Sequence, residues 1–135
     1  MRILYTCPFL SIYLHEGRRA TLEMSWLGQA TSEEFRAAAL RSLAFSKVHH
    51  VKNWISDDRL LQTVHLRDLD WVAEVGMKPL GRMGIERFAL LESLEAFNRR
   101  AIAEMYKQVT PAVNYEVRRF ESLTQARAWA TGTIA

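Results

Sequence analysis

The segment Asp57-Asp58-Arg59 sets two adjacent carboxylates beside a guanidinium. Neighbouring carboxylates suit a hard, oxygen-seeking cation such as Mg²⁺. The same three residues also fit a simpler role, an N-cap and a local carboxylate–Arg59 ion pair that shapes a loop. Both readings place the segment just past a short strand. In open α/β sheets, ligands settle beyond the carboxyl ends of strands. By that rule Glu92 and Ser93, and further on Phe120 and Glu121, are the other residues to examine.

The remaining chemistry-bearing side chains point to no reaction. His49 and His50 are neighbours just past a helix, so their side chains diverge, and His15 and His65 stand alone. Zinc ligation needs converging ligands at helical or short paired spacings. Histidines at a helix C-terminus suit capping instead. The chain holds no nucleophile elbow, phosphate-loop lysine or G-x-G-x-x-G segment. Gly81 and Gly84 bracket a turn after a helix, where no phosphate cradle is built. No lysine follows Val117, where a phosphate-accepting receiver domain would need one. No catalytic residue, metal site or cofactor is therefore assigned.

The elements that must hold these residues follow from periodicity. Residues 9–14 and 20–26 read as two strands joined through Gly17, a hairpin. In the second, Leu22, Met24 and Trp26 face a core, while Thr21, Glu23 and Ser25 face water. Thr31 and Glu34 have capping-box spacing, and a helix follows over 32–47 with Phe35, Ala38, Ala39, Leu40 and Leu43 inward. Residues 51–56 form a strand, 60–66 a loop, and 67–80 a helix that Pro79 ends. The continuous apolar run within 85–91 suits a strand covered on both faces. Ser93 caps a long helix to about residue 108, with Leu94, Phe97, Ile102 and Met105 in its buried stripe. Val113, Tyr115 and Val117 alternate with polar residues, as on an exposed edge strand. Ser122 and Gln125 open a last short helix, with Trp129 inward. Strands separated by helices imply right-handed crossovers and a mainly parallel sheet after the opening hairpin.

Composition sets the outer bounds. The chain has 135 residues, 49% hydrophobic and 24% charged, which excludes intrinsic disorder. The length suits one domain over 1–135, with 1–8 and 132–135 loosely ordered. A formal charge of +3 is too small and too evenly spread to imply nucleic acid. Arg99-Arg100 and Arg118-Arg119 are interspersed with glutamates, and Tyr106 and Tyr115 are the aromatics available for base stacking beside them. One cysteine excludes an internal disulfide, and Cys7 reads as a small apolar filler suited to a reducing cytoplasm. Thr6 and Pro8 interrupt the apolar start, and no small-residue cleavage site follows, so a secretory leader is not expected.

This layout resembles the STAS domain and its SpoIIAA-like bacterial relatives. The resemblance runs from about residue 11 to 131. It rests on Trp26-Leu27-Gly28, on Thr31-Ser32-Glu33-Glu34-Phe35, on Val51-Lys52-Asn53-Trp54-Ile55-Ser56-Asp57-Asp58-Arg59, on Asp68-Leu69-Asp70-Trp71 and on Phe120-Glu121-Ser122-Leu123. It implies an α/β fold with a mixed sheet of about five strands and about four helices. It also implies a cytoplasmic regulatory or protein-interaction module without catalytic activity. Anti-sigma-factor antagonists of the STAS family carry a phosphorylated serine in an Asp-Ser-x-Gly segment where the second helix begins. The matching stretch here, Thr63 to Leu69, has no serine or glycine, so switching by serine phosphorylation is not expected. The implied contact surface is Asp58, Arg59, Thr63, His65, Arg67 and Trp71, facing a protein partner or a second copy. Self-association through the edge strand at 113–120 or the Trp71 face is a further expectation. The alternative is a small-ligand or metal site, or an enzyme, built on Asp57, Asp58 and Arg59. An apolar pocket beneath Trp54 and Trp71 would favour it.

Overall fold

Two apolar layers close on opposite faces of one sheet, and they are unequal. The computed structural model describes residues 1–133. Six strands lie side by side in chain order: β1 (Arg2–Cys7), β2 (Leu10–His15), β3 (Thr21–Trp26), β4 (Asn53–Asp57), β5 (Arg87–Leu91) and β6 (Glu116–Arg119). β1, β2 and β3 pair antiparallel, and β3 to β6 pair parallel. The opening segment, expected to be loosely ordered, is the extra strand. Pro8 and Phe9 form the link of a tight hairpin, since Cys7 pairs directly with Leu10. The register shifts between Ile3 and Tyr5, a bulge of the kind that blunts an outer strand.

Alternation along the strands sorts side chains to the two faces. Leu10, Ile12, Leu22, Met24, Trp26, Trp54, Phe88 and Leu90 belong to the larger core. Ile55, Ala89 and Leu91 join a smaller core beneath the last helix. The larger core is roofed by α1 (Ser32–Val48), by a helical run over 66–82, and by α4 (Ala96–Val109). The smaller is covered by α5 (Leu123–Ala130), which brings Ala126, Trp129 and Ala130 down on β4 and β5. Trp54, Phe88 and Tyr115 stack in the larger core at 5.8 and 5.9 Å, and such ring pairs add to the area that they bury.

The helix ends obey local rules. Thr31 and Glu34 form the expected capping box. At the other end of α1, His50 adopts φ 51, in the left-handed region. His50 N–H donates to Lys47 O and Val51 N–H to Ser46 O, which closes the helix as a Schellman motif. Gly132, at φ 83, closes α5 in the same way, with Thr133 N–H reaching Ala128 O. Of the tail expected to be loose, Ile134 and Ala135 lie outside the described residues.

Several expectations need correction. Pro79 does not end its helix: α2 (Leu66–Val72) passes into a π-helical turn (Ala73–Met77) and then α3 (Lys78–Arg82). Proline cannot donate to the carbonyl four residues back and collides with it. A wider turn, in which Lys78 N–H donates to Ala73 O, relieves both problems. α4 begins later than expected and is capped by Glu95, whose carboxylate accepts from the Phe97 and Asn98 amides. Leu94 and Phe97 therefore fall outside the buried stripe, at 70% and 61% exposure, and Leu40 of α1 is also exposed. Thr21 and Glu23 are buried where water was expected, because α5 and its arginine lie over them. Tyr106 and Tyr115, the aromatics considered for base stacking, are core residues.

Candidate functional site

Asp57 and Asp58 are consecutive at the end of β4, so pleating sends them to opposite faces of the sheet. They do not converge on a shared cation. Asp57 joins the face that carries Glu23, Ser25 and Arg127. There it accepts a bidentate pair from Arg59, Nε to Oδ1 and Nη2 to Oδ2, both at 2.8 Å. The expected loop-shaping ion pair is therefore made by Asp57. Asp58 turns under the helices, 4% exposed, and accepts a 2.6 Å hydrogen bond from Ser56 Oγ at Oδ1.

The space that Asp58 borders is a cavity of about 60 Å³ between the sheet, α1, the 66–82 run and α4. A hollow of about 150 Å³ is the size that admits a benzene ring, so this one has room for a small guest at rest and for a ring only if its helical roof yields. Its walls are hydrocarbon and aromatic, among them Trp26, Trp54, Leu69, Met77, Phe88 and Ile102. Ser56, Asp58 and Tyr106 supply its polar groups, and no Lys, Arg or His lines it. Trp71 is not among the walls; its neighbours Val72 and Leu69 are.

Electrostatics follow from that setting. Burial pushes the Asp58 carboxyl up to about 7, the Ser56 hydrogen bond works against this, and the Asp57 and Glu92 charges add to the rise. Asp58 is thus largely a neutral acid in mildly acidic solution. Burial and the Asp58 charge also hold the Tyr106 phenol well above its ordinary range. No hydrogen bond among the described residues engages the Tyr106 hydroxyl or Asp58 Oδ2.

The other expected contact residues lie on or near α2. Arg59 is half-buried, held by Asp57. Thr63, His65 and Arg67 are exposed, and Trp71 is half-buried with the Arg36 guanidinium 5.0 Å from its ring centroid. Thr63 and His65 border a small polar hollow with Ser32 and Asp68. Asp68 is itself buried. Burial opposes its ionisation, but hydrogen bonds from Ser32 and Arg36 outweigh this and hold its carboxyl below the usual range. The structure thus splits the expected surface: Arg59 stays with Asp57 on the α5 side of the sheet, Thr63, His65 and Arg67 are exposed on the side of α2, and Asp58 is buried away from both.

Three participants were missed. Tyr106 reads as a surface aromatic beside Arg99-Arg100, yet its spacing of four from Ile102 puts it on the buried stripe of α4. Asn98 is fully buried and ties the 58–65 loop to α4. It accepts from Val64 N–H at 3.1 Å and donates to Leu61 O at 3.2 Å. Glu23 is paired by His15 Nε2 at 2.8 Å and by both Nε and Nη2 of Arg127. Nothing local in the sequence announces that last contact.

No family model and no curated protein matches the chain. Among solved structures it is similar to an uncharacterized protein of the DUF3478 family, with a SpoIIAA-like fold, from Shewanella loihica PV-4. The two share 17% identity over 93% of this chain and 97% of the other, with a TM-score of 0.60. The fold is SpoIIAA-like. That agrees with the mixed sheet and helical layer foreseen from the sequence, with one strand more than the expected five. The SpoIIAA-like scaffold explains why the cavity and the α2 surface are adjacent: the 66–82 run roofs the first and carries much of the second. Among the described residues no helix is long and apolar enough to cross a membrane.

Proposed function

We propose that this SpoIIAA-like chain is a small regulatory module that takes a compact, mostly apolar molecule into the cavity beneath the 66–82 helical run. One observation carries the reading. A protein interior seldom keeps a carboxyl in an apolar hollow unless it has a use, because burial without full pairing costs free energy, and Asp58 has one partner, Ser56. Pockets of this kind, apolar with a few converging polar groups, are the ordinary form of small-molecule sites. The module works in the cytoplasm, in keeping with the lone Cys7. It needs no catalytic group, since binding alone can bias the helical roof.

Toluene is a suitable neutral probe. A ligand that binds only the folded state raises the melting temperature, and the rise grows with the logarithm of its free concentration above Kd. Toluene should stabilise the wild-type chain and shift the backbone amide resonances of residues 66–82. Ala39 lines the cavity, so Ala39→Leu should fill part of it and abolish both effects. A flat melting curve and unchanged spectrum for the wild type would end this reading.

A second reading is favoured by a different feature. Leu66 and Phe97, each 61% exposed, flank an open groove between α2 and α4. Exposed apolar and aromatic residues of this kind are enriched where proteins dock. In this reading the exposed Thr63, His65 and Arg67 adjoin a contact with a protein partner or a second copy, while Arg59, held by Asp57 on the other side of the sheet, and Trp71, covered by Arg36 of α1, lie outside it. Sedimentation across a concentration series, with Leu66→Glu and Phe97→Glu in parallel, tests the second-copy form. A monomer at every concentration would remove it.

A further inference from the structure

The polar groups of the cavity specify more than an apolar guest. Asp58 Oδ1 is taken by the Ser56 hydroxyl, which leaves Oδ2 as the carboxyl's free corner. A neutral carboxyl presents an O–H there, and the Tyr106 phenol offers a second O–H bordering the same space. Two donors and no resident cation form an environment for a neutral acceptor atom.

Charge excludes the alternatives. An anionic head would be desolvated without a Lys, Arg or His among the lining residues. It would also face Asp58, whose own negative charge the Asp57 and Glu92 carboxylates already oppose. A cationic head would have to be buried together with an ionised Asp58, and desolvating two charges commonly outweighs their attraction. The titratable and charged groups around Asp58 are Asp57 and Arg59 at the end of β4, Glu92 after β5, Tyr106 of α4 and Arg119 at the end of β6. Arg59 and Arg119 are occupied by Asp57 and Glu92. α1 and the 66–82 run bring only apolar residues and Gly76 to the cavity.

We infer that the guest is a neutral molecule, hydrocarbon over most of its surface, with one acceptor oxygen of the ketone, ester or amide class. That oxygen receives hydrogen bonds from the Asp58 carboxyl and the Tyr106 hydroxyl. This rests on the small-molecule reading above and adds the chemistry of the head group to it.

Four probes with one ring and different heads test it: cyclohexane, cyclohexanone, cyclohexylamine and cyclohexanecarboxylate. Each is titrated into the wild-type chain at pH 5.5 and pH 8.5 and followed by amide chemical shifts. Cyclohexanone should bind about tenfold more tightly than cyclohexane at pH 5.5, the worth of a hydrogen bond or two. Most of that preference should vanish at pH 8.5, where Asp58 no longer donates. Asp58→Asn should retain the ketone preference at both pH values, because its amide N–H still donates. Asp58→Leu and Tyr106→Phe should each weaken the preference at pH 5.5. Equal binding of ketone and hydrocarbon overturns the inference while sparing the small-molecule reading. So does tightest binding of the carboxylate, or amine binding that strengthens with pH. If none of the four binds at either pH, both fall together.

Discussion

Ser56 Oγ lies 2.6 Å from Asp58 Oδ1, a hydrogen bond between two residues on the same side of one strand's end. The bond does not keep Asp58 ionised, because burial outweighs it. A fold that isolates a carboxyl in this way carries a pH signature.

The first prediction concerns that signature. Asp58 titrates at about 7 in the fold and at about 3.9 in an unfolded chain. Between those values the folded state holds a proton that the unfolded state has released. The contribution of Asp58 to stability therefore falls as pH rises from about 4 to about 7 and stays low above that. A difference of about three pH units amounts to on the order of 4 kcal/mol. Asp58→Asn should match the wild type near pH 4 and exceed it by a few kcal/mol at pH 8, read as urea midpoints across the range.

The second prediction runs in the opposite direction. Burial opposes ionisation of Glu23, yet hydrogen bonds from His15 and Arg127 and the charge of Arg127 hold its carboxyl below the usual range. Its contribution is present above the unfolded value and is lost as pH falls through the folded one. Arg127→Met leaves a buried carboxylate with His15 alone and should cost about 3 kcal/mol at pH 7. The acid limb of the unfolding profile should also move to higher pH in this variant.

Asn98 supplies the third. Its side chain holds Val64 N–H and Leu61 O, and also contacts Ser93 Oγ at 3.3 Å. Asn98→Ala leaves those buried groups unpaired and should cost about 2–3 kcal/mol. Amide exchange in the 58–65 loop should accelerate more than exchange in the sheet.

The fourth is a gain. His50 occupies the left-handed position that closes α1, where a side chain is strained and glycine is not. His50→Gly should raise stability by about 0.5–1 kcal/mol, a rise of a few degrees in Tm.

Legibility in the sequence divided along a physical line. Features set by neighbours were readable: the Thr31–Glu34 capping box, the core-facing row Leu22, Met24 and Trp26 of β3, and the placing of Asp57-Asp58-Arg59 past a strand end. The sorting of Asp57 from Asp58 was also present, since Trp54 and Ser56 alternate with Ile55 and Asp57. Period-two reading carried one residue past the strand would have turned Asp58 inward. Features set by distant packing were not readable. Glu23 looks solvated until Arg127, 104 positions away, closes over it. Arg2–Cys7 reads as a loosely ordered start until Pro8 is recognised as part of a hairpin link. Pro79 signals a stop to any local rule, and only the wider turn before it lets the helix continue.

In this sheet, spatial order and chain order coincide from the first strand to the last. No strand must wait for a remote one before finding its neighbour, and each crossover closes a loop of moderate length. Assembly can spread in both directions from whichever adjacent pair forms first, which places this architecture toward the quick end of folding for mixed sheets.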